Sequence, residues 1–196
     1  AVAGQTGRRA VHRLRPAPGP YREACGMSLE NLRLFVVMLG GRHARANTEV
    51  HDVVFAIGPT IEQTYPQLRQ QWFGEAAGLH LDSWMTVDGV EDWQVRICDD
   101  APAADAPTLY FVNLGGYVEG EFGEAHSYLL VVAADAAEAK RKALAQAEAR
   151  WIKPHRDALL EVDSCLPVGP IGGLHVQLRR GAHAGIHSQS DYIVIS

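Results

Sequence analysis

Leu34-Phe-Val-Val-Met-Leu-Gly-Gly41 returns 75 positions later as Leu109-Tyr-Phe-Val-Asn-Leu-Gly-Gly116. When residues 34–55 are aligned with residues 109–130, seven of 22 positions are identical. An apolar, β-branched run that stops at two glycines is typical of a buried strand. Repetition at a fixed spacing is the first sequence signal of architecture, so these two stretches predict a fold that is duplicated within one chain.

Residues able to carry chemistry follow the same offset. Glu49-Val-His51 returns as Glu124-Ala-His126, and His80-Leu-Asp82 returns as His155-Arg-Asp157. Side chains two positions apart on a strand share one face of the sheet. Each motif therefore predicts an acid and an imidazole that lie side by side.

The order of elements in each repeat is predicted as β-β-α-β-β. In the first repeat, Thr60 and Gln63 have the spacing of a helix capping box, and Asp135 and Glu138 stand 75 residues further on. Pro66 predicts a kink or a break in the first helix. The fold class is therefore α+β, with two units related by a pseudo-twofold axis.

The domain organisation follows from this order. We interpret residues 1–26 as a disordered or extraneous leader and expect a natural start at Met27. Residues 27–100 form the first repeat, residues 101–107 a Pro- and Ala-rich linker, and residues 108–196 the second repeat. The second repeat ends in an extra strand that we expect at a sheet edge.

The composition limits the classes of function. The chain has 196 residues, 47% of them hydrophobic, and a net charge of -5. Five arginines against one acid make the leader basic, so the remaining residues carry about -9, which argues against binding to nucleic acid. No apolar run approaches the roughly 18–20 residues of a membrane span. Three unrepeated cysteines without metal spacing favour a reducing cytoplasm.

A shared site is predicted where the repeated motifs meet. A strand–helix–strand passage returns the chain to the edge where it started, which brings both motifs beside the Gly-Gly pair. Imidazoles, carboxylates and the negative end of a helix suit a divalent ion such as Zn(II), Fe(II) or Mn(II). The predicted metal ligands are His51, His80, Asp82, His126, His155 and Asp157, the predicted catalytic bases are Glu49 and Glu124, and the predicted binding glycines are Gly40, Gly41, Gly115 and Gly116.

Other interpretations of these residues stay open. Histidines and acids at strand ends also pair for structural reasons alone, and duplicated chains keep folding residues as well as functional ones. The site could instead bind a small polar organic ligand. The protein could also be a non-catalytic binding or assembly module, and a homo-oligomer is compatible with the sequence.

Several long stretches resemble one family, the bacterial domain of unknown function 1543. They include Phe-Val-Val-Met-Leu-Gly-Gly-Arg-His, Glu-Val-His-Asp-Val-Val-Phe-Ala and Gly-Glu-Phe-Gly-Glu-Ala-His, and the resemblance covers nearly everything after Met27. Proteins of this family carry the domain once or twice, so the resemblance implies two tandem copies here. It implies no activity, cofactor or catalytic residue.

Overall fold

A four-stranded antiparallel sheet contains the first Gly-Gly strand at an interior position. The structure is a computed structural model that describes residues 29–117, 120–150 and 161–196, so the predicted leader lies outside the described residues. The order along this sheet is β10-β3-β1-β2. Its strands are β1 (Arg33–Gly41), β2 (Val50–Gly58), β3 (His80–Val87) and β10 (Ile186–Val194).

A second antiparallel sheet contains the second Gly-Gly strand, again with a neighbour on each side. The order is β7-β6-β8, and a third, smaller sheet has the order β4-β5-β9. The architecture is α+β, as predicted. The remaining strands are β4 (Gly89–Val90), β5 (Trp93–Cys98), β6 (Thr108–Tyr117), β7 (Glu124–Ala133), β8 (Glu161–Pro167) and β9 (His175–Arg180).

The two larger sheets share one register between their first two strands. Gly40 pairs with His51 in the first sheet, and Gly115 pairs with His126 in the second. The pairing with the third strand shifts after Met38 in the first sheet and after Asn113 in the second, again 75 residues apart. Such irregularities change the direction in which nearby side chains point. Here they lie beside the repeated acid and histidine motifs.

One helix covers the outer face of each large sheet, and the two helices begin differently. α1 (Tyr65–Gln71) follows a short 3-10 turn, Glu62–Thr64, and has Pro66 in its first turn, which explains the break between the two. The predicted Thr60–Gln63 capping box is wrong, because no side-chain hydrogen bond caps this helix.

The second helix does have the predicted caps. In α2 (Ala136–Arg150), Glu138 N–H donates to Asp135 Oδ1 at 2.8 Å, and Glu138 Oε2 accepts from Ala134 N–H at 2.8 Å. Both hydrogen bonds of the capping box are made, although the Glu138 side chain accepts from the N–H of Ala134 instead of the N–H of Asp135. No helix among the described residues is long and apolar enough to cross a membrane.

The core has three parts, and residues 75 positions apart occupy matching faces of the two large sheets. The inner faces of the two large sheets share one cluster, in which Phe55 of β2 meets Phe111 of β6 edge to face at 5.6 Å. The outer faces pack on their own helices. Inner-face pairs separated by 75 residues are Leu34 and Leu109, Val36 and Phe111, and Ile57 and Val132; outer-face pairs are Phe35 and Tyr110, Val37 and Val112, and Leu39 and Leu114.

Candidate metal centre

Four predicted side chains meet at one end of the first sheet; we call them the quartet: Glu49, His51, His80 and Asp82. The ring nitrogen His51 Nε2 lies 3.2 Å from Asp82 Oδ2 and 3.8 Å from Glu49 Oε2. His80 Nε2 lies 3.3 Å from Glu49 Oε1 and 3.4 Å from Asp82 Oδ1. The structure therefore brings these two motifs together, because β2 and β3 flank β1 and run in the same direction.

His80 is the innermost member of the quartet. Its side chain is 1% exposed, and its Nδ1 lies 2.8 Å from the carbonyl oxygen of Gly78. A carbonyl only accepts hydrogen bonds, so Nδ1 carries the proton and Nε2 faces Glu49 and Asp82. This arrangement, in which a backbone carbonyl orients the ring, is the usual support for a metal-binding histidine.

Two buried atoms of the quartet have no hydrogen-bond partner among the described residues. They are His80 Nε2 and Asp82 Oδ2, whose contacts within the quartet lack hydrogen-bond geometry. Buried polar atoms are nearly always paired, so each exception requires an explanation. A cation held between the imidazole and the carboxylates would satisfy both atoms.

Gly40 provides the space in which His80 and Asp82 lie. A Cβ atom on this residue would be 2.7 Å from Asp82 Oδ2 and closer still to His80 Nε2. Gly41 differs, because a Cβ there would be 2.9 Å from Cζ2 of Trp72, which caps the C-terminus of α1. Gly40 is thus a neighbour of the quartet, whereas Gly41 makes room for the outer core.

An aromatic ring from the far end of the chain covers the quartet. Tyr192 of β10 lies over His80 with ring centroids 4.3 Å apart, yet 64% of the tyrosine is exposed. The register between β10 and β3 shifts from Ser190 to Ile193, so Tyr192 belongs to a bulge opposite Asp82. The sequence predicted an edge strand here but not its contact with the site.

A second cluster lies at the matching position of the second sheet. Donor atoms of Glu124, His126 and Asp163 lie within 4.8 Å of one another, and His126 Nδ1 is 3.2 Å from Asp163 Oδ2. Asn113 adds an amide group, with its Oδ1 3.2 Å from His126 Nδ1 and its Nδ2 3.4 Å from Asp163 Oδ2. This cluster has one imidazole where the quartet has two, and it is more exposed.

Asp163 takes the place for which the sequence predicted Asp157. Gly40 pairs with His80, whereas Gly115 pairs with Glu161, so the chain between glycine and partner is six residues longer in the second sheet. The additional residues lie between β7 and β8, and the constant offset of 75 does not relate the third strands of the two sheets. His155 and Asp157 lie outside the described residues, and the third strand of this sheet begins after them.

Of the remaining two predicted glycines, Gly115 lies next to the acidic groups of the second cluster. A Cβ on Gly115 would be 2.5 Å from Asp163 Oδ2 and closer to Glu124 Oε1. Gly116 pairs with Ala125 and is buried. Gly115 therefore has the same relation to its cluster as Gly40 has to the quartet.

A groove of about 590 Å³ runs between the two large sheets and reaches the second cluster. Its wall includes His126 and Tyr128, and burial together with the negative charge of Asp163 raises the pKa of the Tyr128 hydroxyl. Serine hydroxyls line the groove from both sheets, which suits a small ligand with polar groups. These are Ser83, Ser127, Ser188 and Ser190.

Comparisons with known proteins give a family but no activity. Residues 46–97, which contain the whole quartet, match the family model of a Domain of Unknown Function (DUF1543). The chain is also similar to the crystal structure of protein Il1583 from Idiomarina loihiensis, at 30% identity and a TM-score of 0.64, over 84% of this chain and 99% of that chain. No curated protein matches. With this identity over nearly all of Il1583, the chain belongs to the same family as that protein, and residues 46–97 carry its DUF1543 domain.

Proposed function

We propose that this protein binds a divalent transition-metal ion at the quartet. The observation that carries the proposal is His80 Nε2, a buried ring nitrogen without a hydrogen-bond partner among the described residues, which faces two carboxylates. Because the other ring nitrogen donates to Gly78, the lone pair of Nε2 is free to bind a cation.

The kind of ion follows from the donor atoms. Two imidazoles with two carboxylates are a mixed nitrogen and oxygen set, which suits Zn(II), Fe(II) or Mn(II) better than Mg(II) or Ca(II). Each histidine of the quartet lies 3.2–3.8 Å from both carboxylates. Among the described residues, only Glu124, His126 and Asp163 have donor atoms that all lie within 4.8 Å of one another, so a shared ion at the quartet requires the half-exposed side chains of Glu49 and His51 to turn towards His80.

We further propose that the two large sheets arose by duplication and carry paired sites. The shared register at Gly40 and Gly115, the matching bulges and the paired core positions support this history. The cluster of Glu124, His126 and Asp163 offers fewer nitrogen donors and more exposure, so we expect it to bind the same ion more weakly.

A catalytic role would fall to the glutamates. Glu49 is 48% exposed and contacts both histidines of the quartet, and Glu124 has the matching position in the second sheet. A carboxylate at the solvent side of a metal site is placed to accept a proton from bound water. We therefore propose Glu49 as the general base if the ion activates water.

The competing proposal is that the quartet only braces the end of the sheet. The direct contact between His51 and Asp82, at 3.2 Å, favours it because an ion pair needs no metal. Bracing predicts that substitutions lower stability equally with and without metal. Metal binding predicts that stability depends on the ion.

The deciding experiment is metal analysis of the full chain purified without a histidine tag, followed by titration of the metal-free protein with Zn(II) and Mn(II). The variants are His51→Ala and Glu49→Gln, whose side chains are about half exposed and tolerate replacement better than His80. The matched control is His175→Ala, a histidine on β9 of the third sheet.

We expect about one tightly bound ion per chain and loss of it in both quartet variants, while the control retains it. Ligand at 100 times its dissociation constant stabilises a fold by about 2.7 kcal/mol, so added metal should raise the thermal midpoint by several degrees in the wild type and the control alone. If the purified protein contains far less than one equivalent of metal, and added metal does not shift the thermal midpoint, bracing would remain as the function of the quartet.

A further inference from the structure

The last strand of the chain forms an exposed sheet edge. β10 pairs with β3 on one side, and no described strand pairs with its other side. Eight of its nine residues are exposed, all except Ile193. An edge of this length presents unpaired backbone groups that can accept another strand.

The composition of this edge favours pairing instead of preventing it. Exposed edges are usually protected by lysine, proline or a bulge; β10 contains neither lysine nor proline, and its bulge is confined to the C-terminal end, between Ser190 and Ile193. Three of the large hydrophobic residues that the structure leaves exposed lie on this one strand: Ile186, Tyr192 and Val194.

The strand is complementary to itself when it is reversed. If two copies pair antiparallel around Gln189, His187 stands opposite Asp191 and Ile186 stands opposite Tyr192, once on each side of the axis. His187 pairs with Thr86 and lies two residues from Gln189, so it shares a face with Gln189. Asp191 follows Gln189 by two residues, so strand alternation places it on that same face.

We propose that two copies of this chain associate through β10, joining their four-stranded sheets into one continuous sheet. A histidine opposite a carboxylate can donate a hydrogen bond to it, and aromatic–aliphatic pairs directly across strands are stabilising; each pair occurs twice by symmetry. The pairing also places Ile186 of the partner subunit against the exposed Tyr192 ring that covers His80. The proposal stands on the edge strand alone and does not depend on a bound metal.

Cross-linking tests the register directly. In a Gln189→Cys variant the two thiols would lie on strand positions directly opposite each other, about 4.5–5.5 Å apart, within the range of a disulfide. The matched control is Ile186→Cys, whose two copies would be about 20 Å apart along the strands. We expect mild oxidation to yield a disulfide dimer of the first variant and little of the second.

A charge exchange tests the pairing by a second route. His187→Asp places carboxylates opposite each other twice, so we expect the dimer dissociation constant to rise about tenfold. The double variant His187→Asp, Asp191→His restores opposite partners and should return the constant towards the wild-type value. The measurement is molar mass by light scattering over a concentration series.

Several outcomes would overturn the proposal. The first is a wild-type mass of one chain at every concentration, which would also be the result if another part of the chain covered β10. The others are equal cross-linking of the two cysteine variants, or a dimer that is indifferent to the charge exchange. Metal content is measured separately, so failure of this proposal leaves the quartet untouched.

Discussion

Replacing Gly40 with alanine should destabilise the fold by forcing His80 and Asp82 to move. The new Cβ would be 2.7 Å from Asp82 Oδ2 and nearer to His80 Nε2, whereas favourable contacts between such atoms lie at about 3.5–4.0 Å. The imidazole has little room to retreat, because its side chain is 1% exposed and Gly78 holds its other nitrogen.

The expected magnitude is a difference between two opposing effects. Overpacking a buried position costs about 1–3 kcal/mol. Replacing a glycine with alanine recovers about 0.4–1 kcal/mol by reducing the conformational freedom of the unfolded chain. We therefore expect Gly40→Ala to lower the free energy of unfolding by about 1–2 kcal/mol and the thermal midpoint by about 2–8 °C.

Gly115→Ala is the matched control. Its Cβ would meet Glu124 and Asp163, which are the ends of partly exposed side chains that can turn towards solvent. Because relief is easier there, we expect a free energy of unfolding within about 1 kcal/mol of the wild type.

Urea denaturation of the metal-free proteins measures both substitutions without involving the ion. A Gly40→Ala protein as stable as the wild type would refute the argument that His80 is confined. So would a Gly115→Ala protein that loses as much stability as Gly40→Ala. In the metal titration, the quartet of the Gly40→Ala protein should also bind Zn(II) more weakly than the quartet of the Gly115→Ala protein.

Two further predictions concern hydrogen bonds made by side chains of the two helices. Gln67 donates to the carbonyl of Ile57 at 2.6 Å and accepts from its N–H at 3.1 Å, both buried, so Gln67→Leu should lower the free energy of unfolding by about 1–3 kcal/mol in urea denaturation. Gln71→Leu, which removes exposed bonds, should cost less. The Ala134 N–H holds the pKa of the Glu138 carboxyl below its ordinary value, so this stabilisation is complete above about pH 5 and is lost as the pH falls through the lowered pKa. The stability difference between the wild type and Glu138→Gln should therefore be present at pH 7 and shrink as the pH falls below about 5; a difference that stays constant on acidification would contradict it.

The strands could be predicted well because their signal is local. Apolar runs that end at glycine pairs identified β1 and β6 to within two residues. Alternating burial on a strand depends on side-chain period and on little else. The helix starts were harder, since the Thr60–Gln63 spacing fits a capping box but Pro66 moved the start of α1.

Part of the candidate site could be predicted from repetition alone. Repetition located Glu49, His51, His80 and Asp82, which meet as expected. In the second sheet a constant offset gave His155 and Asp157, which lie outside the described residues, whereas strand register places Asp163 at the position equivalent to Asp82. The number of residues that connect two strands is not set by strand periodicity, so repetition could not locate Asp163.

The sequence by itself determined the α+β class, the two Gly-Gly strands and the kinds of group that line each site, because side-chain chemistry and strand periodicity are local properties. The tertiary structure alone decided that His80 is buried in the first sheet, whereas Glu124, His126 and Asp163 of the second sheet are exposed. Only the first sheet, among the described residues, gains an extra edge strand, and that strand brings Tyr192 over His80 from 112 positions away. Burial and the pairing of distant strands depend on how the whole chain packs, which no repeat or local pattern records.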